Sequence, residues 1–225
     1  MGFFKKKSKL KLPVFWSNYY DYFKNKLPDT IEANQFVVFD TETTGLDYKR
    51  DRILCIGALK LKNNKISVKE SLEIYISQTH YDAESAEIHG ILKKDKKAQI
   101  SELQALELFL GYIKNHALVG HHVMFDVNMV NEALKRNGLP KLKNKTLDTA
   151  LLYKKTLLTT TLLQRKEQYT LDDLAEKFSI SKKDRHTALG DALITSIAFL
   201  AIVDKLKPNN LKELIKKQHP SKYSL

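Results

Sequence analysis

The sequence predicts a mixed α/β domain with short appendages. Segments typical of β-strands come first, at 36–41, 52–62 and 66–76, and short strands then alternate with helices along the rest of the chain. A length of 225 residues suits one such domain. With 43% hydrophobic and 28% charged residues, the composition is that of a globular chain rather than a disordered one.

Apolar runs and turn residues indicate the strands. Residues 36–41 form a short apolar run that is typical of a buried strand. The turn residues Asn63 and Asn64 separate the next two strands, so these are expected to form a hairpin. Two further short strands are predicted at 117–120 and 145–147.

Capping residues indicate the later helices. Ser101 and Gln104 form a capping box, Asn137 and Gly138 are typical of a helix end, and Asp148 can cap the helix that follows it. The predicted helices are 101–115, 123–136, 149–158, one that begins after Thr170, and a last long helix within 186–203.

An amphipathic helix with an aromatic face is predicted between Pro13 and Pro28. At about 100° per residue, six rings cluster on one side of this helix: Phe15, Trp16, Tyr19, Tyr20, Tyr22 and Phe23. The face either packs on the main domain or docks a partner protein or a membrane surface. Stacking on nucleic-acid bases is a weaker alternative, because the face is wide and contiguous.

The positive charge is concentrated at the two ends of the chain. The formal net charge is +12, of which residues 1–30 contribute +5 and residues 201–225 contribute +4. We therefore divide the chain into a basic, aromatic extension at 1–34, a main domain at 35–203 and a basic tail at 204–225. The excess of basic over acidic residues predicts a polyanionic partner, with nucleic acid as the first candidate. Basic chain ends are also common as solvated segments that bind nothing.

Cysteine content and hydropathy exclude several classes of protein. The single cysteine, Cys55, rules out an internal disulfide framework and a multi-cysteine metal site. No apolar run approaches the length of a membrane span, and the basic N-terminus lacks the apolar core of a signal peptide. We expect an intracellular protein.

Four acidic residues occupy positions where the pattern requires apolar ones. Asp40 interrupts the first strand, and strand alternation places Glu42 on the same side. Asp126 and Asp191 lie on the core-facing sides of their predicted helices. Each acid alone could be a helix cap or a solvated strand end. As a set they favour divalent cations with oxygen ligands, Mg²⁺ or Mn²⁺, because an unpaired buried carboxylate is costly.

His186 precedes Asp191 by five residues. On one continuous helix the two side chains would point about 140° apart. We therefore expect His186 on the loop that leads into the helix, close to the acids. A lone histidine there is often a cap or a surface residue, but an imidazole beside such a cluster suits a general base.

Three segments resemble the motifs of the DEDDh 3′–5′ exonucleases: FDTETTG at 39–45, VGHHVMFD at 119–126 and HTALGD at 186–191. IHGI at 88–91 and YTLDDL at 169–174 match secondary signatures. The resemblance covers about residues 35–203. Within this superfamily the chain is most similar to the epsilon proofreading subunit of bacterial DNA polymerase III and its stand-alone relatives.

The resemblance implies an RNase H-like fold, with a five-stranded mixed sheet flanked by helices. It also implies hydrolysis with two divalent cations, which releases nucleoside 5′-monophosphates from single-stranded DNA 3′ ends. The implied metal ligands are Asp40, Glu42, Asp126 and Asp191, and His186 is the implied general base. A cytoplasmic bacterial enzyme is expected, and the aromatic helix is a candidate docking segment for a DNA polymerase or another protein.

The resemblance also implies a nucleotide-binding set. Thr43, Thr44 and Gly45 would line the site of the terminal nucleotide, and Leu46 would insert between the last two bases. The terminal sugar and base would be contacted by His89, His121 and Phe125.

Two departures from the family pattern are visible. His122 stands where the family usually has asparagine, which puts the contact at that position in doubt. The chain also ends about 22 residues after its last predicted helix, whereas polymerase-tethered members carry a long tail. Two other functions stay open: an exoribonuclease acting on RNA 3′ ends, and a catalytically silent module that binds nucleic acid or a polymerase.

Overall fold

A six-stranded mixed sheet forms the centre of the part of the chain that the structure describes. In this computed structural model those residues are 12–79, 90–91, 98–157 and 167–219. The strands are β1 (Gln35–Thr43), β2 (Ile53–Lys62), β3 (Lys65–Ile76), β4 (Gln99–Ile100), β5 (Ala117–Gly120) and β6 (Thr146–Asp148). Their order is β4-β3-β2-β1-β5-β6. β1, β2 and β3 are antiparallel neighbours, whereas β4 on β3, β5 on β1 and β6 on β5 are parallel.

The expected number of five strands was wrong by one. The additional strand is β4, where Gln99 pairs with Tyr75 at the end of β3. A strand of two residues is too short to show alternation, so no local pattern in the sequence marks it. The mixed α/β class and the β2–β3 hairpin are confirmed.

Seven helices are present in the described ranges. They are α1 (Val14–Tyr22), α2 (Glu102–Ile113), α3 (Met124–Arg136), α4 (Thr149–Thr156), α5 (Leu171–Lys177), α6 (Ala188–Leu206) and α7 (Leu211–Lys217). The predicted caps are confirmed: Ser101 and Thr170 form capping boxes, and the Asp148 carboxylate accepts the Ala150 and Leu151 amides. None of these helices is both long enough and apolar enough to cross a membrane.

Alternation along β1 divides the core into two layers. Val37 and Phe39 point to the side of the sheet that is covered by α1, α2 and α3. Phe36 and Val38 point to the other side, which is covered by α4, α5, α6 and α7. Side chains at even positions of β1 therefore face α6, and those at odd positions face α3.

The aromatic helix α1 packs on the domain. Trp16 and Tyr19 are 2% and 1% exposed and belong to the same core cluster as α2 and α3. The Tyr19 hydroxyl donates to Asn144 Oδ1 at 2.6 Å and accepts from the Lys143 amide at 2.9 Å. Of the predicted aromatic face, the centre packs on the domain, while Tyr20 and Tyr22, at the edges of the arc, remain exposed.

Replacing Trp16 with alanine should destabilise the whole domain. Removal of a buried indole leaves a cavity, and the expected loss in the free energy of unfolding is about 3–5 kcal/mol. Chemical denaturation followed by circular dichroism measures it. Val14→Ala, at a position that is 76% exposed, is the matched control and should change stability by less than about 0.5 kcal/mol. Equal effects of the two variants would show that α1 is not part of the folding unit.

The segment after residue 203 also contains helix that packs on the domain. Leu211 and Leu214 of α7 are buried in the second core layer. The Gln218 side chain accepts from the Asp148 amide at 3.0 Å and donates to the Thr146 carbonyl at 2.8 Å. Both flanking segments thus contribute packed helices, and the boundaries at 34/35 and 203/204 remain predictions.

Candidate active site

Three of the four predicted acids converge at the carboxyl end of β1. Asp40 and Glu42 lie on the side of β1 that faces α6, and Asp191 lies in the first turn of α6. One carboxylate oxygen from each lies within 4.8 Å of the others. Asp191 is buried, and the two strand residues are partly exposed. The cluster is therefore open to a ligand on one side and backed by the core on the other.

Glycine on the neighbouring strand allows this approach. Gly57 of β2 pairs with Asp40. A Cβ atom at Gly57 would lie 2.3 Å from the Ala188 carbonyl carbon and the Leu189 amide nitrogen, at the start of α6. Because no side chain intervenes, the amino end of α6 can rest on the sheet and bring Asp191 beside Asp40.

The fourth acid, Asp126, approaches from the other side of the sheet. It lies in the first turn of α3, it is buried, and it does not belong to the 4.8 Å cluster. Its Oδ1 accepts from the Thr41 amide at 3.0 Å and from the Thr41 hydroxyl at 2.6 Å. Thr41 points to the α3 side because it lies between Asp40 and Glu42 in the alternation. Asp126 is thus fixed at the edge of the cluster.

Burial and mutual repulsion raise the pKa values of these acids. Desolvation raises the pKa of Asp40 well above 3.8, and repulsion from Asp126 and Asp191 adds to it. Desolvation also raises the pKa of Glu42 to about 7, helped by Asp191 and Asp126. For Asp126 desolvation raises the pKa to about 7, against the opposing effect of the hydrogen bonds from Thr41. A site that resists full ionisation when empty favours a bound cation.

The stabilising effect of Mg²⁺ should therefore grow with pH. Since the folded pKa values of Glu42 and Asp126 lie above the ordinary carboxyl values, the cation-free protein loses stability as pH rises toward 7. A cation displaces those protons, and its affinity should rise up to about tenfold per pH unit for each proton displaced. Thermal melting with EDTA and with Mg²⁺, at about pH 5 and about pH 8, measures the difference. If the Mg²⁺-induced shift in Tm were the same at both pH values, the proposed displacement of protons by the cation would be contradicted.

Arg185 connects the cluster to a further acid. Its Nη1 donates to Asp191 Oδ2 at 2.5 Å. Its Nε and Nη2 donate to the two carboxylate oxygens of Asp172 at 3.0 and 3.1 Å. Asp172 lies in the first turn of α5, so the guanidinium group ties α5 to the start of α6. Arg185 both orients Asp191 and brings positive charge to one of its oxygens.

Replacing Arg185 with glutamine should separate these two effects. We expect kcat of the hydrolysis that the resemblance implies to fall about tenfold, because Asp191 loses its orientation. We also expect the half-saturating Mg²⁺ concentration to fall about 3- to 10-fold, since a competing charge is removed. Initial rates at varied Mg²⁺ measure both. Arg136→Gln, which breaks the ion pair with Glu102, is the control and should leave both unchanged. A higher half-saturating Mg²⁺ concentration in Arg185→Gln would show that the guanidinium group supports cation binding and does not compete with it.

His186 lies on the loop before α6, as predicted. It is exposed, and its backbone has a positive φ of 63°. Its amide donates to Asp191 Oδ1 at 3.3 Å, which places the residue directly next to the cluster. The loop before α6 is so tight that a Cβ atom at Gly190 would lie 1.9 Å from the Asp184 carbonyl oxygen. A left-handed conformation at a histidine is uncommon, and here it occurs at an exposed residue whose amide bonds Asp191.

The loop after β1 carries the next predicted group. The Thr43 hydroxyl donates to the Gly45 carbonyl at 2.7 Å, and the Thr44 hydroxyl donates to Asp51 Oδ1 at 2.9 Å. Gly45 packs so closely on Asp51 that a Cβ atom would lie 2.6 Å from its carboxylate. Leu46 is 85% exposed. The two threonines and the glycine thus form a tight loop that presents an apolar side chain to solvent.

The second motif supplies two more of the predicted positions. Nε2 of His121 donates to the Tyr169 carbonyl at 2.9 Å, and Nδ1 lies 3.0 Å from the Thr149 hydroxyl. Desolvation, with repulsion from His122, lowers the pKa of His121 to about 4, so its ring is neutral. Phe125 is half-buried against the first core layer, and His122 is exposed with a φ of 55°. His89 lies outside the described residues.

Reasoning from the sequence missed three residues of this site: Thr41, Asp172 and Arg185. Alternation around Asp40 and Glu42 could have indicated that Thr41 faces α3. Arg185 is next to His186 in the chain, but its pairing with Asp172 is a tertiary contact that no local pattern shows. Asp126, the fourth implied metal ligand, approaches from the opposite face of the sheet, and its role at a metal stays a prediction.

Fold and site together define an α/β enzyme with an acidic active site of the kind that binds cations. A family model described as Exonuclease matches residues 37–199. DNA polymerase III PolC-type from Caldanaerobacter subterraneus subsp. tengcongensis is 34% identical over 181 residues, which are 80% of this chain and 12% of that protein. DNA polymerase III subunit epsilon from Aquifex aeolicus is 26% identical over 181 residues, which are 80% of this chain and 86% of that protein.

Among solved structures, E. coli exonuclease I in complex with a dT13 oligonucleotide has a TM-score of 0.65. The two sequences are 16% identical, and the match covers 77% of this chain and 42% of the exonuclease I chain. The protein belongs to the Exonuclease family, and it has the RNase H-like exonuclease fold.

Proposed function

We propose that the protein is a metal-dependent 3′–5′ exonuclease that releases nucleoside 5′-monophosphates from single-stranded DNA 3′ ends. The observation that carries the proposal is the convergence of Asp40, Glu42 and Asp191 within 4.8 Å. Membership of the Exonuclease family supports the reaction class. The names of the relatives and the dT13 oligonucleotide bound to exonuclease I support DNA as the substrate.

We assign the acids to two divalent cations, Mg²⁺ or Mn²⁺. The donor set fits these ions, because the cluster consists of carboxylates only. Asp40, Glu42 and Asp191 would hold one cation, and Asp126 would help Asp40 to hold the other. When bound, the cations would supply Lewis-acid stabilisation of the charge that develops on the phosphate and on the leaving oxygen.

His186 is the proposed general base. Its exposed position next to Asp191 lets it take a proton from the attacking water and pass that proton to solvent. Attack at the terminal phosphorus breaks the bond to the 3′ oxygen of the preceding nucleotide. That oxygen gains a proton, so the shortened strand keeps a 3′-hydroxyl group and the terminal nucleoside leaves as its 5′-monophosphate.

The remaining predicted residues form the proposed site of the terminal nucleotide. Thr43, Thr44 and Gly45 would line it, and the exposed Leu46 would insert between the last two bases. Phe125 and His121 would contact the terminal nucleotide. Because both nitrogens of His121 already have internal partners, its contact would use the carbon edge or face of the ring.

The same evidence supports a role in DNA proofreading or repair in the bacterial cytoplasm, with a DNA polymerase as a partner. The relatives named above are DNA polymerase III proteins of bacteria. Trp16 and Tyr19 are buried in the domain, so a partner at α1 would meet only its exposed side, which includes Val14 and Tyr20.

A substrate panel tests the proposed function. Matched 5′-labelled DNA and RNA strands are incubated with Mg²⁺ or with EDTA, and a third DNA strand carries a blocked 3′ end. We expect stepwise shortening of the open DNA strand in Mg²⁺ only, with slower cleavage of RNA. Faster cleavage of RNA would make the protein an exoribonuclease. Turnover of neither strand would indicate a silent binding module.

A further inference from the structure

A second concave site lies where the two flanking segments meet. It is a cavity of about 450 Å³, which is in the size range of ligand and peptide pockets. It is lined by residues of the segment after α1, of α7 and of the segment before β6. The Leu211 amide donates to the Asp29 carbonyl at 3.1 Å and holds the two flanking segments together.

The rim of the cavity is strongly positive. Five exposed lysines surround it, with Asp29 as the one acidic lining residue: Lys26, Lys143, Lys145, Lys212 and Lys216. Within the ranges that the structure describes, none of these five ammonium groups forms an ion pair with a carboxylate. Lys143 instead lies over the rings of Tyr20 and Phe23, 3.8 and 5.1 Å from their centroids. The rim thus offers uncompensated charge to an anionic partner.

The interior of the cavity is mainly aliphatic. Leu27, Pro28, Leu211 and Ile215 line it, with Phe23 as the single ring. Lys143 separates this cavity from a neighbouring groove of about 380 Å³, which is lined by Leu12, Trp16, Tyr20 and Pro140 among others. Two apolar depressions on either side of a lysine suit an extended peptide with apolar side chains between acidic ones. Bases would find few rings on which to stack in the larger cavity.

The cavity and the acidic cluster lie at opposite ends of the parallel strands β1, β5 and β6. Asn115, Lys143 and Lys145 precede the parallel strands β5 and β6, whereas the cluster lies where β1 ends. From the register of β5 on β1, the two sites are about 20 Å apart along the strand direction. A partner bound in the cavity would leave the carboxyl end of β1 free for a DNA 3′ end.

We propose that this cavity and the neighbouring groove bind an acidic, apolar-containing peptide segment of another protein. The chain's own ends are poor occupants: residues 1–11 contain five lysines and residues 220–225 contain one, and neither segment contains an acid. A second copy of the chain, with a net charge of +12, is disfavoured for the same reason. The proposal is independent of the assigned nuclease reaction.

Fluorescence anisotropy with a labelled synthetic peptide that carries two apolar residues among six acidic ones, Asp-Asp-Phe-Asp-Glu-Leu-Asp-Glu, tests the proposal. The test variant is the full chain with Lys145→Glu, Lys212→Glu and Lys216→Glu. Its matched control carries Lys65→Glu, Lys69→Glu and Lys177→Glu, an equal change in charge at exposed sites elsewhere. A peptide with serine in place of its phenylalanine and leucine tests the apolar contribution. Circular dichroism verifies that both variants fold.

We expect the test variant to weaken peptide binding at least about tenfold and the control to weaken it less than about threefold. The serine peptide should bind at least about tenfold more weakly than the original. The cleavage rate of single-stranded DNA should be the same in both variants. No peptide binding, or equal losses in the two variants, would overturn the proposal. A loss of DNA affinity confined to the test variant would show that the cavity binds nucleic acid instead.

Discussion

Replacing Asp40 with asparagine is expected to reduce hydrolysis of a DNA 3′ end by about a thousandfold or more. Asp40 is the central acid of the site, since it belongs to the 4.8 Å cluster and is repelled electrostatically by both Asp126 and Asp191. The substitution keeps the shape of the side chain but removes the charge that holds cations. Initial rates on a 5′-labelled oligonucleotide at high Mg²⁺ measure the effect.

The fold should survive this change, because it removes a carboxylate that is destabilised by its neighbours. In EDTA, Asp40→Asn should melt at the same temperature as the natural protein or higher, and the stabilisation by Mg²⁺ should be lost. Asp204→Asn, an exposed acid on α6, is the control and should retain full activity. If Asp40→Asn kept a tenth or more of the normal rate, the acid cluster would not be the catalytic site.

Replacing His186 with alanine should lower kcat by about 10²- to 10⁴-fold, the range that general-base catalysis supplies. The side chain is exposed and only its amide bonds Asp191, so the acid cluster and the affinity for Mg²⁺ should be little changed. Rates under single-turnover conditions at varied Mg²⁺ measure both effects.

His219→Ala provides the matched control for His186, since this exposed histidine lies after α7 and is not a member of the acid cluster. It should leave both kcat and the affinity for Mg²⁺ unchanged. A fall of less than about threefold in His186→Ala would assign the proton transfer to another group.

Much of the site could be predicted because strand and helix periodicity are local properties. Alternation along β1 places Asp40 and Glu42 on one side, and the helical pattern around Asp191 turns that residue toward the sheet. The separation of five residues from His186 to Asp191 was enough to place the histidine on the preceding loop. The same alternation also explains Asp126, because Thr41 between the two strand acids faces α3 and binds it.

The rest depended on contacts between distant segments. The close approach of α6 requires Gly57 on β2, which is far from α6 in the sequence. Arg185 acquires its role only when α5 brings Asp172 beside it. The helical wheel of α1 gives the direction of its aromatic arc but not how much of that arc is covered, and Tyr20 and Tyr22 at its edges remain exposed. The basic cavity arises only because the two flanking segments fold onto the same end of the sheet, where β5 and β6 begin.

The identity of the first product from a 3′-terminally labelled DNA strand tests the central claim most directly. In Mg²⁺ the label should appear first as a nucleoside 5′-monophosphate, one nucleotide at a time, and EDTA should abolish the reaction. A labelled 3′-monophosphate, a labelled internal fragment or cleavage that persists in EDTA would contradict a metal-dependent 3′–5′ exonuclease.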